Sequence, residues 1–466
     1  MEKFFKLREK GTNVKTEVIA GVTTFMTMAY ILAVNPNILS AAGMDRGAVL
    51  SATALASAIG SICMGIFANL PFVLSAGMGL NAYFAYTVVI GMGYHWQVAL
   101  AAVFIEGLIF ILLSLTNVRE AIFNAIPATL KLAVSVGIGL FIAFIGLQNA
   151  SIVVDSATLV TIFSFTKPSD ALMTPEYFTS LRVTVVLALL GILITGFLII
   201  RNIKGNILIG IVSTWLLGII CQIAGLYKPC SYTDASGAVH TLYSLIPNGI
   251  VSMPSSIAPT FMQMDFSSLL SGGFLNFIVI MFAFLFVDIF DTLGTIIGCA
   301  TKANMLDKDG KLPNIKGALL ADAVGTTVGA CLGTSTITTF VESSSGVSEG
   351  GRSGLTSVVS AILFLLSLFF SPLFLTIPSF ATAPALILVG FYMMQQVGKI
   401  AWNDFQEAIP AFITIMAMAF LYSISEGICF GIISYCVLNL LTGRGKKISP
   451  LMYVLSVIFI LKYCLL

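Results

Sequence analysis

Thr334–Gly351 reads TSTITTFVESSSGVSEGG, and it decides the fold because it is no ordinary membrane helix. Eight of the twelve residues Thr334–Ser345 carry a hydroxyl. The β-branched and aromatic run Thr336–Val341 favours an extended backbone, and the serines of ESSSG can cap a helix start. The pattern predicts a short extended piece that gives way to a half-helix near Glu342. A second stretch, PFVLSAGMGLNAYFAY at 71–86, has the same character, with Gly77 and Gly79 loosening the backbone ahead of Asn81. Non-helical backbone at membrane depth is tolerated only where protein or a polar cavity satisfies it. Two half-helix N-termini would then direct partial positive charge toward the midplane. Polar re-entrant loops that hold no ligand are the alternative reading.

The surroundings are membrane-like. The 466 residues are 58% hydrophobic and 9% charged, with mean hydropathy +1.01, whereas a soluble domain carries about 25% charged residues. Apolar runs of roughly 17–25 residues repeat along the chain, long enough to cross a bilayer as helices. The N-terminal MEKFFKLREKGTNVK lacks the apolar core and small-residue site of a cleaved signal peptide. No basic patch interleaved with aromatics suggests nucleic acid as a partner. Eight cysteines form no CxxC and no pairing with histidines, so neither a metal site nor a disulfide framework is predicted, and no cofactor.

Fourteen spans are predicted: 17–34, 48–69, 72–91, 97–116, 130–147, 181–200, 206–226, 273–298, 315–333, 334–350, 354–372, 380–396, 408–424 and 426–442. A fifteenth apolar run, 449–463, is left unplaced. Lysine and arginine accumulate in cytoplasmic loops. With the N-terminus inside, 18 of the 23 basic residues fall inside, four (Arg46, Lys167, Arg182, Lys228) outside, and Lys462 stays unassigned. The expected location is therefore the cell (plasma) membrane, multi-pass, with a cytoplasmic N-terminus.

The halves resemble each other. LASAIGS at 55–61 matches LADAVGT at 320–326 with Gly60 and Gly325 in register, and NILIGIVS at 206–213 matches GICFGIIS at 427–434. Seven spans per half invert the second copy, the architecture of secondary transporters. Chance similarity between glycine-rich apolar helices is the alternative.

The eighth span carries the chemistry. In FVDIFDTLGTIIG at 286–298, Asp288, Asp291, Thr292 and Thr295 recur at i, i+3, i+4 and i+7, one polar stripe on an apolar helix. A carboxylate at membrane depth costs several kcal/mol and marks function. Glu342 joins the pair from the tenth span. Asp322 is left open between bracing the broken segments and relaying a proton. Glu106 and Glu426 read as structural or interfacial, and Glu349 as a partner for Arg352. With no membrane cation facing the acids, an anionic substrate is disfavoured.

GVTTFMTMAYILAVNP (21–36), SAGMGLNAYFAY (75–86), FVDIFDTLGT (286–295) and TTFVESSSGVSEGGRSGL (338–355) together resemble the AzgA-like guanine/hypoxanthine permeases. These belong to the nucleobase–cation symporters that include the uracil permease. The resemblance implies an all-α polytopic membrane protein with fourteen transmembrane segments as a 7+7 inverted repeat, segments 3 and 10 pairing as short antiparallel β-strands. It implies a cytoplasmic N-terminus (1–16), a core domain (17–116 and 273–372) and a gate domain (128–228 and 379–442), followed by a basic and apolar C-terminal segment (443–466). It places the purine nucleobase on Asn81, Asp288, Asp291 and Glu342, with Asp322, Thr292 and Ser343 in proton coupling or support. Thr292 stands where the uracil permease carries a histidine, so a histidine proton relay does not carry over.

Chemistry agrees with that placement. A carboxylate accepts two parallel N–H bonds well, so Glu342 suits the N1–H and exocyclic amine of guanine, and Asp288 an imidazole N–H. Asn81, both donor and acceptor, would complete or brace the site. The expected partners are a purine nucleobase, a co-transported proton and membrane lipid, with a homodimer left open. The expected function is import of guanine or hypoxanthine by proton symport, with no enzymatic activity. The alternatives are an adenine-selective purine permease and a channel or anion transporter of the same fold.

Overall fold

Apolar runs fold as helices because lipid offers no partner to free backbone groups. The computed structural model of the chain describes residues 2–115, 127–156, 159–168, 170, 172–233, 239–267, 274–305 and 312–465. Arg119, Lys308 and Lys311, used above for orientation, lie outside the described residues, as does most of the stretch joining 17–116 to 128–228. The principal helices begin with α1 Val14–Met28, α2 Ile31–Ala41, α3 Arg46–Cys63, α4 Met78–Ala82, α5 Trp96–Leu115 and α6 Ala128–Asn149. Next come α7 Pro175–Ile200, α8 Asn206–Ile223, α9 Phe274–Lys302, α10 Ile315–Leu332 and α11 Ser343–Ser348. The chain closes with α12 Gly354–Ser367, α13 Ser379–Met394, α14 Phe405–Phe420, α15 Ile424–Leu441 and α16 Pro450–Leu465. Among the described residues eleven helical segments are long and apolar enough to span a membrane. Three shorter apolar ones cover Met78–Gly91, Phe405–Phe420 and Pro450–Leu461.

Many helix starts carry a side-chain cap. Asn13 accepts from Thr16 N–H at 3.0 Å, Asp45 from Ala48 N–H at 2.7 Å, and Thr174 precedes Pro175 at the first turn of α7. The two helices that begin inside the protein differ: neither Gly77, ahead of α4, nor Glu342, ahead of α11, makes a side-chain cap bond. At α11 the preceding turn takes the first N–H groups instead: Ser343 donates to Phe340 O at 3.1 Å, Ser344 to Val341 O at 3.0 Å and Ser345 to Glu342 O at 2.8 Å.

Ahead of each lies a strand. β1 (Leu74–Ala76) and β6 (Ile337–Thr339) are antiparallel, pairing Leu74 with Thr339, Ser75 with Thr338 and Ala76 with Ile337. Gly77 N–H to Thr336 O and Phe340 N–H to Val73 O, each 3.0 Å, extend the ladder at both ends. All six strand residues are buried. The pairing satisfies extended backbone that lipid would leave bare.

The scaffold around this crossing repeats itself. Ser61 Oγ accepts from Leu74 N–H at 3.0 Å and lies 3.3 Å from Leu74 O. Thr326 Oγ1 accepts from Ile337 N–H at 3.2 Å and donates to Ile337 O at 3.0 Å. Gly60 and Gly325 face one another under the side chain of Ile337: a Cβ on Gly325 would sit 3.0 Å from Ile337 Cγ2 and 3.5 Å from Gly60 Cα. Helices α3 and α10 pack together there, with α5, α9 and α12 around them and α1 on α12. A second set pairs α6 with α13 and α14, α7 with α8, and α14 with α15.

Several features depart from the sequence-based expectation. The first span is two helices, broken at Ala29–Tyr30, where Leu32 N–H reaches Ala29 O and Ala33 N–H reaches Tyr30 O in tight i→i+3 turns. Connecting segments form two antiparallel hairpins, β2 (Val153–Ser156) with β3 (Leu159–Ile162) and β4 (Cys230–Thr233) with β5 (Val239–Leu242). The unplaced 449–463 run becomes α16, antiparallel to α15. Cys436 Sγ is 3.4 Å from Met452 O, the Phe430 and Tyr463 rings stack at 5.5 Å, and Tyr463 bonds Glu426. Glu349 pairs with Lys204 rather than Arg352. The Arg352 guanidinium donates instead to Val347 O and Gly351 O, both 2.7 Å, which bends it back onto its own turn.

Candidate substrate site

At 29 residues α9 is the longest of these helices, and its polar stripe passes the crossing of β1 and β6. Thr292 Oγ1 lies 3.0 Å from Asp288 Oδ1 and 3.0 Å from each carboxylate oxygen of Asp322 on α10. All three side chains are fully buried. A threonine hydroxyl has one proton and two lone pairs. It can donate to one carboxylate and accept from the other only if that other carboxyl is protonated. Thr292 therefore links the two carboxyl groups through a single hydroxyl. Asp322 thus bonds to the eighth span.

One turn on, Asp291 is partly exposed and lies near the Thr338 side chain of β6. It interacts electrostatically with Glu342, which precedes α11 and is also partly exposed. Tyr30, at the break between α1 and α2, donates its phenol to Glu342 Oε1 at 2.8 Å. Tyr392 of α13, 37% exposed, lies within electrostatic range of Glu342 from the second helix set. Val341 beside it is 59% exposed although it follows a wholly buried strand. The strand-to-helix junction thus opens a carboxylate pair to accessible space.

Asp291 and Glu342 lie within electrostatic range of one another, and Asp288, Thr292 and Asp322 form a separate, fully buried group. Asn81 and Ser343 sit at the crossing with their polar atoms engaged. Asn81 Nδ2 donates to Ala76 O at 3.3 Å and its Oδ1 accepts from Ser335. Ser343 Oγ accepts from Val73 N–H at 3.0 Å. Glu106 is fully buried and accepts from Thr336 Oγ1 at 3.2 Å. A surface hollow of about 450 Å³ lined by His95, Gln97 and Met262–Asp265 contains none of these residues.

Sequence reasoning missed Tyr30, Tyr392 and Glu17. Tyr30 is the first tyrosine of the chain, in MTMAYILAV; a phenol in a largely apolar run was the available signal. Glu17 is fully buried and accepts from Arg352 N–H at 2.8 Å, Thr356 N–H at 3.2 Å and Thr356 Oγ1 at 2.6 Å. It caps α12 from 335 residues away, which local sequence does not announce.

Helix starts meeting at a buried strand crossing, with acids beside them, define a multi-pass membrane transporter. The chain belongs to the nucleobase permease family: the Xan_ur_permease model, described as Permease family, matches residues 15–429. It is a permease, not an enzyme. It is 51% identical over 464 residues to the putative permease MJ0326 of Methanocaldococcus jannaschii, covering 99% of this chain and 98% of that one. It is 44% identical to the adenine permease AdeP of Escherichia coli, covering 99% and 95%. It is 43% identical to the guanine/hypoxanthine permease PbuG of Bacillus subtilis, covering 100% of both. Among solved structures, the transmembrane domain of the cyanobacterial bicarbonate transporter BicA shares the fold at a TM-score of 0.60 and 15% identity, covering 90% and 97%. SLC26A9 matches at 0.60 and 11%, covering 92% and 66%.

Proposed function

We propose that the protein imports the 6-oxopurine bases guanine and hypoxanthine across the cell membrane by proton symport. The observation that carries this is Glu342, held by a phenol donor beside Asp291 at an open junction. A carboxylate that accepts from Tyr30 is an acceptor toward its ligand as well, and N1–H of a 6-oxopurine is the donor it needs. Asp291 is a second acceptor for a ring N–H. Asn81 and Ser343 brace the strands that present the site, and Asp288 belongs to the separate buried group. Proton coupling belongs to the Asp288–Thr292–Asp322 group, where two buried carboxyls meet one hydroxyl.

The transport motion is an elevator or rocking movement of a core (segments 1–4 and 8–11) against a gate (5–7 and 12–14). Supporting it are the two helix sets and the paired roles of Ser61 and Thr326; α4, α11 with its strand, and α14 are read as segments beside the eleven long ones. The charge asymmetry supports a cytoplasmic N-terminus. In that orientation the outer side is closed by Tyr86 OH to Asn149 Oδ1 at 3.1 Å and by Tyr422, whose ring packs on Phe141 at 5.2 Å. Lipid meets the outer helices, where Leu193, Ile200 and Ile223 are 69%, 79% and 75% exposed.

Adenine is the second reading, favoured by the identity to AdeP. Adenine carries no N1–H, so Glu342 would have to take its amine or an imidazole N–H instead. Counterflow of labelled hypoxanthine in proteoliposomes, competed by guanine, adenine, xanthine and uracil, separates the two. Guanine is expected to compete and adenine not; competition by adenine alone assigns the adenine reading.

A further inference from the structure

We infer that Tyr30 is a specificity-determining residue that makes the carrier treat guanine and hypoxanthine alike. The inference rests on the reading of Glu342 as a purine ligand and goes beyond it. Tyr30 is 1% exposed, and the helix break at Ala29–Tyr30 lets its ring leave the line of the first span. A buried hydroxyl needs a partner; this one donates to Glu342 Oε1 at 2.8 Å.

That contact divides the carboxylate. Guanine offers two parallel donors, N1–H and the adjacent 2-amine, which a free carboxylate takes with one oxygen each. Hypoxanthine offers N1–H alone. With one lone pair of Oε1 taken by Tyr30, Oε2 keeps both of its acceptor sites and is the stronger acceptor toward a ligand. Both bases then present their shared N1–H to Oε2, and the amine of guanine gains no fresh oxygen. A tyrosine on the first span thus cancels the advantage guanine would otherwise hold, while the site still demands an N1–H.

The test is equilibrium binding of radiolabelled guanine and hypoxanthine to the purified full-length protein, parent against Tyr30→Phe. Phenylalanine keeps the ring packing and removes the donor. The parent is expected to bind the two bases within about threefold of each other. In Tyr30→Phe the guanine preference should rise by about tenfold, the worth of one charge-assisted hydrogen bond. A tyrosine that only packs would weaken both bases equally, so an unchanged ratio overturns the inference. Should Tyr30→Phe fail to elute as a monodisperse species, the parent ratio decides: a guanine preference above about tenfold overturns the inference. Glu342→Gln serves as the control for the underlying reading. Loss of both bases in Glu342→Gln with an unchanged ratio in Tyr30→Phe sinks this inference alone. Undiminished binding in Glu342→Gln sinks the site itself.

Discussion

Ser61 and Thr326 do the same work on opposite strands. Each hydroxyl accepts the N–H of its strand's first residue, Leu74 at 3.0 Å and Ile337 at 3.2 Å, and lies against the same residue's carbonyl. They close the matched sequences LASAIGS and LADAVGT. In that alignment Ser57 corresponds to Asp322. Ser57 bonds Ser75 of β1 at 2.7 Å, whereas Asp322 turns to Thr292. One repeat braces its strand with a hydroxyl; the other has an acid at that place.

This relationship makes the hydroxyls testable. Thr326→Val leaves the Ile337 N–H without its partner in a buried crossing, a loss of about 1–3 kcal/mol. Thr326→Ser keeps the hydroxyl and is expected near the parent. Thermal unfolding followed by size-exclusion fluorescence should rank parent, serine and valine in that order. Equal stability of the valine variant would mean the strand pair does not depend on this bond.

Topology is predicted from charge and from α16. In a background retaining Cys464 as its sole native cysteine, Lys167→Cys and Cys464 should label from the outside and Lys399→Cys from the inside. Lys167 and Lys399 are exposed, as is Cys464. Labelling of Cys464 from the same side as Lys399→Cys would mean α16 does not cross. Agreement of Lys167 with Lys399 would discard the span order.

The outer closure predicts a conformational bias. Tyr86 and Asn149 exchange two hydrogen bonds, at 3.1 and 3.0 Å, between the third and fifth spans. Thr87 Oγ1 lies 3.4 Å from Tyr422 O nearby. Asn149→Ala removes both Tyr86 bonds and should expose the site to the outside. A cysteine at Tyr392 would then label faster from outside with a membrane-impermeant reagent. An unchanged labelling rate would mean these bonds do not hold the outer side shut.

The helices and the broken tenth segment were legible because apolar length and a hydroxyl-rich interruption are strong local signals. Asp288, Asp291 and Glu342 were legible because an acid in an apolar run has no cheap structural excuse. What stayed hidden depends on long-range packing. Tyr30 sits in a seamless apolar run that gives no sign of the Ala29–Tyr30 break, and its partner lies 312 residues away. The hairpins at 153–162 and 230–242 are short and largely exposed, so their strands lack a buried face to pattern the sequence. Asn81 illustrates the opposite error of emphasis: a polar residue beside a site is not thereby free, and its amide is engaged at the strand crossing.

Glu342 carries the binding prediction. Glu342→Gln replaces an acceptor oxygen with a donor that faces the purine N–H groups or the Tyr30 phenol. The loss of a charge-assisted bond, about 1.5–3 kcal/mol, should weaken guanine binding by roughly tenfold to more than a hundredfold. Direct binding on monodisperse protein checks it, and parent-like affinity would redraw the site around Asp288 and Asp291.

Coupling should reside in the pair that shares Thr292. Three carboxylate oxygens lie 3.0 Å from one hydroxyl that has a single proton to give. With both acids ionised, one of them faces a lone pair; with one protonated, the hydroxyl can donate to one carboxyl and accept from the other. The cluster is therefore suited to take up and release one proton per cycle. Asp322→Asn puts a permanent neutral donor in that place, a mimic of the protonated state. Purine binding and counterflow, which need no net proton movement, should persist in this variant. Uphill hypoxanthine accumulation driven by an inward proton gradient, abolished in the parent by a protonophore, should be lost. Thr292→Val, which removes the shared hydroxyl, should likewise separate counterflow from uphill uptake. If Asp322→Asn still accumulates hypoxanthine and still responds to the protonophore, the coupling proton is carried elsewhere. Parent uptake that follows sodium and ignores pH would remove the proton from the mechanism altogether.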